Sequence, residues 1–95
     1  MRTFTLQASE WKTPSDFYES ILAVLEAPRW HGTGVDALID SMIYGGINGI
    51  EPPYRIWIKG TADLPVPVKA ELGLLAEVIE EQGGPEKGIT IQIDP

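Results

Sequence analysis

Residues 54–95, YRIWIKGTADLPVPVKAELGLLAEVIEEQGGPEKGITIQIDP, decide the fold. At their start Tyr54, Ile56 and Ile58 alternate with Arg55, Trp57 and Lys59, the period-2 pattern of a strand with one buried face. At their end Ile89, Ile91 and Ile93 repeat that alternation. Between the two lies a helical stretch, VKAELGLLAEVIEEQGG, whose Leu72, Leu75, Ala76 and Ile79 fall on one side and whose stop is a glycine, Gly83, suited to the C′ position. A helix that long between two strands favours a right-handed crossover and parallel pairing. Gly73 is out of place in a helix interior, and Leu74 and Val78 mark a second apolar side that could pack on another helix.

Working back toward the N-terminus, RTFTLQA alternates Phe4 and Leu6 with Thr3 and Thr5 and reads as the first strand. KTPSDFYESILAVLEA opens with strong helix-start chemistry. Thr13 is the expected N-cap, Pro14 the first helical residue, and Asp16 sits three after the cap in favourable register with the helix dipole. Phe17, Ile21 and Leu25 form its apolar stripe, with Tyr18 and Leu22 beside it, and Pro28 is expected to end it. A second helix is expected from Gly34 or Val35, capped by Thr33, with Val35, Leu38, Ile39 and Met42 inward. GGINGIEPP then reads as a turn-rich connector. The order is strand, two helices, strand, helix, strand: an α/β layer fold with a small three-stranded parallel sheet and about three helices, one domain over residues 1–95.

Fourteen acidic residues against seven basic ones give a formal charge of −7. Phosphate backbones and anionic membranes need cationic surfaces, so neither is the expected partner. The acids are also concentrated. No lysine or arginine lies between Arg29 and Arg55, where Asp36, Asp40 and Glu51 fall, and from Asp63 to Glu86 six acids face a single Lys69. Such a surface steers a basic partner. The chain has no cysteine, so disulfides and thiolate metal sites are excluded. MRTFTLQASEW lacks a signal-peptide core and no segment approaches a membrane span, so a cytoplasmic protein is expected.

Walker, G-x-G-x-x-G, H-E-x-x-H and G-x-S-x-G signatures are all missing, and no cofactor is expected. Attention falls on WHGTGVDALID, residues 30–40. At 100° per residue Asp36, Asp40 and Tyr44 share a stripe pointing away from the core. Two aspartates four apart repel, at a cost of roughly 0.2–0.5 kcal/mol to an isolated helix. Asp36 has an ordinary explanation, because Thr33-x-x-Asp36 approximates a capping box. Asp40 lies beyond the first turn and capping does not explain it. Trp30 and His31 precede this face in a loop whose Gly32 and Gly34 suit turn backbone. Trp30 is either a packing residue or an exposed aromatic of the kind enriched at interfaces.

APRWHGTGVDALIDSM, residues 27–42, resembles the signature of barstar-like ribonuclease inhibitors: a proline, an aromatic pair, a glycine, a short loop, then D-A-L and a second aspartate. The element order is similar to that family's as well. The resemblance implies that the loop and following helix plug the active site of a small basic ribonuclease. Asp40 would insert among the enzyme's catalytic cations with Asp36 beside it. Trp30 takes an interface tyrosine's place, Gly32 keeps the loop glycine, and Thr33 lies in the contacting loop. Glu80 is the best match for a contacting glutamate of the last long helix, with Glu77 as the alternative. His31 stands where the family has a second tyrosine, Ile39 where it has a tryptophan, and Gly34 where it has an asparagine. His31, Ile39 and Tyr44 complete the expected contact set. The family's short helix after the second strand is expected to shrink to TADLPVP.

The expectation is a non-enzymatic inhibitor, an immunity protein for a basic ribonuclease or related toxin nuclease, monomeric when free. Two alternatives stay open: the same fold as an interaction module with a non-nuclease partner, and a small metal-dependent hydrolase built on His31, Asp36 and Asp40.

Overall fold

The computed structural model describes all 95 residues. Strands β1 (Arg2–Gln7), β2 (Tyr54–Lys59) and β3 (Ile89–Ile93) form one parallel sheet in the order β1-β2-β3. Phe4, Ile56 and Ile91 lie abreast, as do Leu6, Ile58 and Ile93. The helices are α1 (Pro14–Val24), α2 (Val35–Ile39) and α3 (Val66–Glu81). The α/β reading with a three-stranded parallel sheet therefore holds. No helix is long and apolar enough to cross a membrane.

Alternation in β2 decides the layering. Tyr54, Ile56 and Ile58 are at most 1% exposed, while Arg55 and Trp57 are half-buried and Lys59 is exposed. All three helices thus gather on the Tyr54 side, where 22 apolar residues make one core. Tyr18 of α1 donates its hydroxyl to Glu71 of α3 at 2.8 Å, tying two helices across that core. Burial first, and then this bond, push the Tyr18 hydroxyl up from its usual range, so it stays a donor.

The helix ends obey local chemistry at some termini and distant packing at others. At α1 the Asp16 carboxylate accepts the backbone N–H of Lys12 at 2.8 Å and of Thr13 at 3.2 Å, serving the expected cap at Thr13. Its other end departs from expectation. Pro28 does not terminate α1; the helix closes at Val24 in a Schellman turn, with Glu26 N–H on Ala23 O and Ala27 N–H on Leu22 O. Glu26 takes the left-handed C′ position at φ 54, unusual for a side chain with a Cβ. The connector holds it there, because Gly49 and Ile50 donate to the carbonyls of Glu26 and Leu25 at 2.9 and 3.1 Å. Helix α3 ends as expected, with Gly83 at φ 83 in a second Schellman turn closed by Gly84 N–H on Ile79 O. It starts earlier than expected, at Val66 with Pro67 in the first turn. Residues 61–64 make only a turn, Leu64 N–H to Thr61 O, in keeping with a reduced family helix.

Two glycines of this region should respond oppositely to alanine. A Cβ on Gly84 would fall 2.5 Å from Ile79 Cγ2 and 2.7 Å from Ile79 O, whereas one on Gly73 would meet nothing within 4 Å. Thermal denaturation is expected to show Gly84→Ala destabilised by about 1–3 kcal/mol and Gly73→Ala stabilised by roughly 0.5–1 kcal/mol. Equal effects at the two sites would contradict the packing described here.

The Lys12 and Thr13 N–H bonds hold the Asp16 carboxyl below its ordinary 3.8. A carboxyl depressed in the folded state contributes stability above its unfolded pKa and loses it as pH falls through the folded value. Asp16→Ala should therefore melt below wild type at pH 7, with the gap closing below about pH 3.8. A gap that persists unchanged into strong acid would show that the carboxylate charge is not its source.

Candidate functional site

The segment before α2 folds as a turn in which His31 N–H bonds Pro28 O at 3.0 Å. That turn puts Trp30 at its tip, where it is 74% exposed. Of the two readings of Trp30, the exposed aromatic is the one that stands. His31, next in line, is held at both ring nitrogens: Nδ1 lies 2.6 Å from Gly32 O and Nε2 lies 2.7 Å from the hydroxyl of Ser41. A carbonyl only accepts, so Nδ1 carries a proton. In the neutral ring Nε2 then accepts from Ser41, in preference to the longer 3.3 Å option that this hydroxyl has at Leu38 O. The loop is thereby pinned to the helix that follows it.

The start of that helix corrects two expectations. Thr33 does not cap α2; the N-cap is Gly34, at φ 124, and no side chain bonds the first turn. The helix begins one residue later than a Thr33 capping box requires. Asp36 therefore has no reciprocal partner and only its place in the first turn, near the positive end of the dipole. Of the two loop glycines only Gly34 is needed for its backbone. Gly32 has room for a Cβ, which would make ordinary 3.5 Å contact with Ala37.

At Asp40 the helix widens, and Asp40–Tyr44 form a π-helical turn that continues α2. In an unbroken α-helix two steps of four residues would carry Tyr44 about 80° round from Asp36. The wider turn shortens that lead, so Tyr44 comes back toward the line of the aspartates. All three are exposed, Tyr44 by 72%. Val35, Leu38, Ile39, Met42 and Ile43 are buried behind them. Lys87 donates to Ile43 O at 3.0 Å, closing the carbonyl end of the π turn with a cation.

Of the expected contact residues, Trp30, His31, Gly32 and Asp40 are brought together around one shallow hollow of about 130 Å³, with Ala37 and Ile47. Thr33 and Asp36 are exposed next to it in the chain. Ile39 does not belong to this surface. It is 8% exposed and packs into the core, as its place in the apolar repeat of α2 requires. Glu80 is exposed on α3 but edges a different hollow, with Ala76, Ile79 and Pro85. Sequence reasoning missed Ile47 and Ser41. Ser41 did carry a signal, since a serine between Leu38 and Met42 on the inward side needs a polar partner. Ile47, 36% exposed in a glycine-rich connector, carried none.

His31, Asp36 and Asp40 do not converge on one point, and nowhere in the chain do three His, Cys, Asp or Glu side chains cluster to hold a metal ion. The hollow is small, and its walls are an aromatic, a pinned imidazole and a carboxylate that points outward. What the surface does present is an exposed acidic helix face beside a protruding aromatic. The chain belongs to the barstar (barnase inhibitor) family, whose model matches residues 1–93. A comparison with the curated proteins finds no match.

The ring geometry fixes a tautomer that spectroscopy can read. A long-range ¹H–¹⁵N correlation spectrum at pH 8 should show neutral His31 protonated at Nδ1, against the more common Nε2–H form. Ser41→Ala should destabilise the protein by about 1 kcal/mol and leave the Nδ1–H tautomer in place, since the Gly32 bond remains. An Nε2–H ring in the wild type would refute the Gly32 bond.

Proposed function

We propose that the protein inhibits a small basic ribonuclease or a related toxin nuclease by occluding its active site, as an immunity protein. The observation that carries this reading is the outward pair Asp36 and Asp40 on one helix face, both exposed and one turn apart. Their mutual repulsion is a cost in the free chain and is relieved only when cations meet them. A nuclease cleft that binds RNA phosphates supplies those cations. Trp30 and Tyr44, exposed on either side of the pair in sequence, provide rigid apolar area at little entropic cost. On this reading Asp40 enters among the enzyme's catalytic cations, Asp36 lies beside it, and the His31–Thr33 loop packs against the cleft wall. Membership of the barstar family supports the class of partner. The protein then acts in the cytoplasm, where RNA must be protected, and as a monomer until it meets the enzyme.

The association should be fast and sensitive to salt, because opposed charges steer the encounter and are screened beyond about 8–10 Å at physiological ionic strength. Truncating one member of a buried charge pair costs about 2–5 kcal/mol. Inhibition of a purified barnase-type ribonuclease is thus expected to weaken at least about 100-fold in the Asp36→Ala/Asp40→Ala variant. Its melting temperature should stay close to wild type, since both side chains are solvated. Undiminished inhibition by the folded double variant would remove these residues from the site. Absence of inhibition by the wild type would turn the same surface toward a non-nuclease partner.

A further inference from the structure

β3 is an edge strand, and the ladder fixes the direction of its free backbone groups. Gly88 O accepts from Tyr54 N–H at 2.9 Å and Asp94 N–H donates to Ile58 O at 2.8 Å. Successive residues of a strand turn their N–H and C=O to opposite sides, so Gly88, Thr90, Gln92 and Asp94 face β2. Ile89, Ile91 and Ile93 turn theirs away. Gly84 O takes the Ile89 N–H at 2.9 Å. The N–H and C=O of Ile91 and Ile93 are left directed out of the sheet, with no strand beyond them. Proteins ordinarily blunt such an edge with charge, proline or a bulge. The strand ITIQI contains no charge and no proline, and its register with β2 is unbroken.

Two hollows lie beside this edge, between α3 and β3. One, of about 250 Å³, is walled by Ala76, Ile79, Pro85, Ile89 and Ile91, with Glu80 at its rim. The other, of about 260 Å³, is walled by Thr61, Lys69, Leu72, Gly73 and Ile93. Each falls below the roughly 300–1,000 Å³ of a site for a drug-sized ligand. They follow one another along both elements, from Ile91 to Ile93 on the strand and from Ala76 to Gly73 on the helix. An extended chain presents side chains to one face at this same spacing of two residues.

Gly73 fits this arrangement. Helix packing does not require it, since a Cβ there would meet nothing within 4 Å. What it does is keep a side chain out of the second hollow. Charge then selects among occupants. Glu80 is exposed at the rim of the first hollow, and the cation at the other end, Lys69, has its ammonium on Ala62 O at 3.0 Å. A second copy paired through β3 would oppose acid to acid between two chains of charge −7. A basic segment would not.

We propose that the groove between α3 and β3 binds an extended, basic peptide segment of a partner protein by strand addition to β3, with two aliphatic side chains two residues apart in the hollows and a lysine or arginine beside Glu80. Backbone bonds to Ile91 and Ile93 hold the strand, and the hollows select its side chains, the general logic of peptide capture at a sheet edge. This site is separate from the Trp30–Asp40 surface and does not depend on the ribonuclease reading.

The test titrates ¹⁵N-labelled protein with the blocked peptide acetyl-Lys-Val-Thr-Val-Thr-Val-amide and with its counterpart carrying Glu for Lys. Saturable binding of the lysine peptide is expected, with amide exchange slowed at Ile91 and Ile93 and weaker binding of the glutamate peptide. Gly73→Leu, which fills the second hollow, should bind at least about tenfold more weakly while melting no lower than wild type. No saturable binding of either peptide would overturn the proposal. So would binding that leaves Ile91 and Ile93 unprotected, or full binding by Gly73→Leu. Protection at Ile91 and Ile93 that grows with protein concentration without peptide would replace the peptide by a second copy.

Discussion

The burial of one face of β2 is the constraint on which the rest of the molecule depends. As the central strand of three, it fixes which side of the sheet the helices must cover, and Tyr54, Ile56 and Ile58 leave that side almost no solvent. A slip of one residue would present Arg55, Trp57 and Lys59 to the core instead. With the helices committed to one layer, α2 can put only one stripe inward. Its acids and Tyr44 are then on the outside by necessity, not as an independent choice. The same commitment leaves β3 at an edge with its isoleucines toward α3, so both surfaces described above derive from one alternating pentad, YRIWI.

That dependence explains what could be read from the chain alone. Alternation in three strands, the Pro14 and Asp16 start of α1 and the Gly83 stop of α3 are local signals, each satisfied within a few residues. The parallel sheet follows from them by connection rules. The outward placement of Asp36 and Asp40 follows too, because Val35, Leu38 and Met42 fix the inward face. Features set by contacts distant in sequence were not legible. Glu26 is left-handed because the 49–50 backbone holds it. The cap fell to Gly34 instead of Thr33, in a loop pinned through His31 to Ser41, ten residues on. The π turn at Asp40 has no signature in a 3.6-residue repeat. Ile39, assigned to the contact surface by its alignment with a family tryptophan, shows how a motif position can keep its place in the chain and still belong to the core.

The local costs of α2 are concentrated where the surface is. Its α segment has five residues, its N-cap is a glycine without a side-chain bond, two like charges stand one turn apart, and its second half is a π turn. None of these favours an isolated helix. Tertiary packing offsets them through Leu38, Ile39, Met42 and Ile43, all at most 8% exposed. A segment held in this way has its outward side chains positioned before any partner arrives. Such preorganisation reduces the ordering cost of association, and a helix face is more rigid in this respect than a loop would be.

The contrast with the α3–β3 groove follows from the same physics. On α2 and the π turn the exposed groups are the carboxylates of Asp36 and Asp40 and the ring of Tyr44; a partner docked there would be chosen by electrostatic pattern and would lose affinity with salt. At the edge of β3 the exposed groups are backbone N–H and C=O, identical in every residue, and specificity must come from what the hollows admit. Gly73 leaves the second hollow open at the expense of helix stability, in the longest helix of the fold. A 95-residue chain has little surplus stability from which to make such concessions. It makes them in two places, the acidic pair of α2 and the glycine of α3 beside a bare strand, and in both the concession falls on residues that face outward, so the core itself gives up nothing.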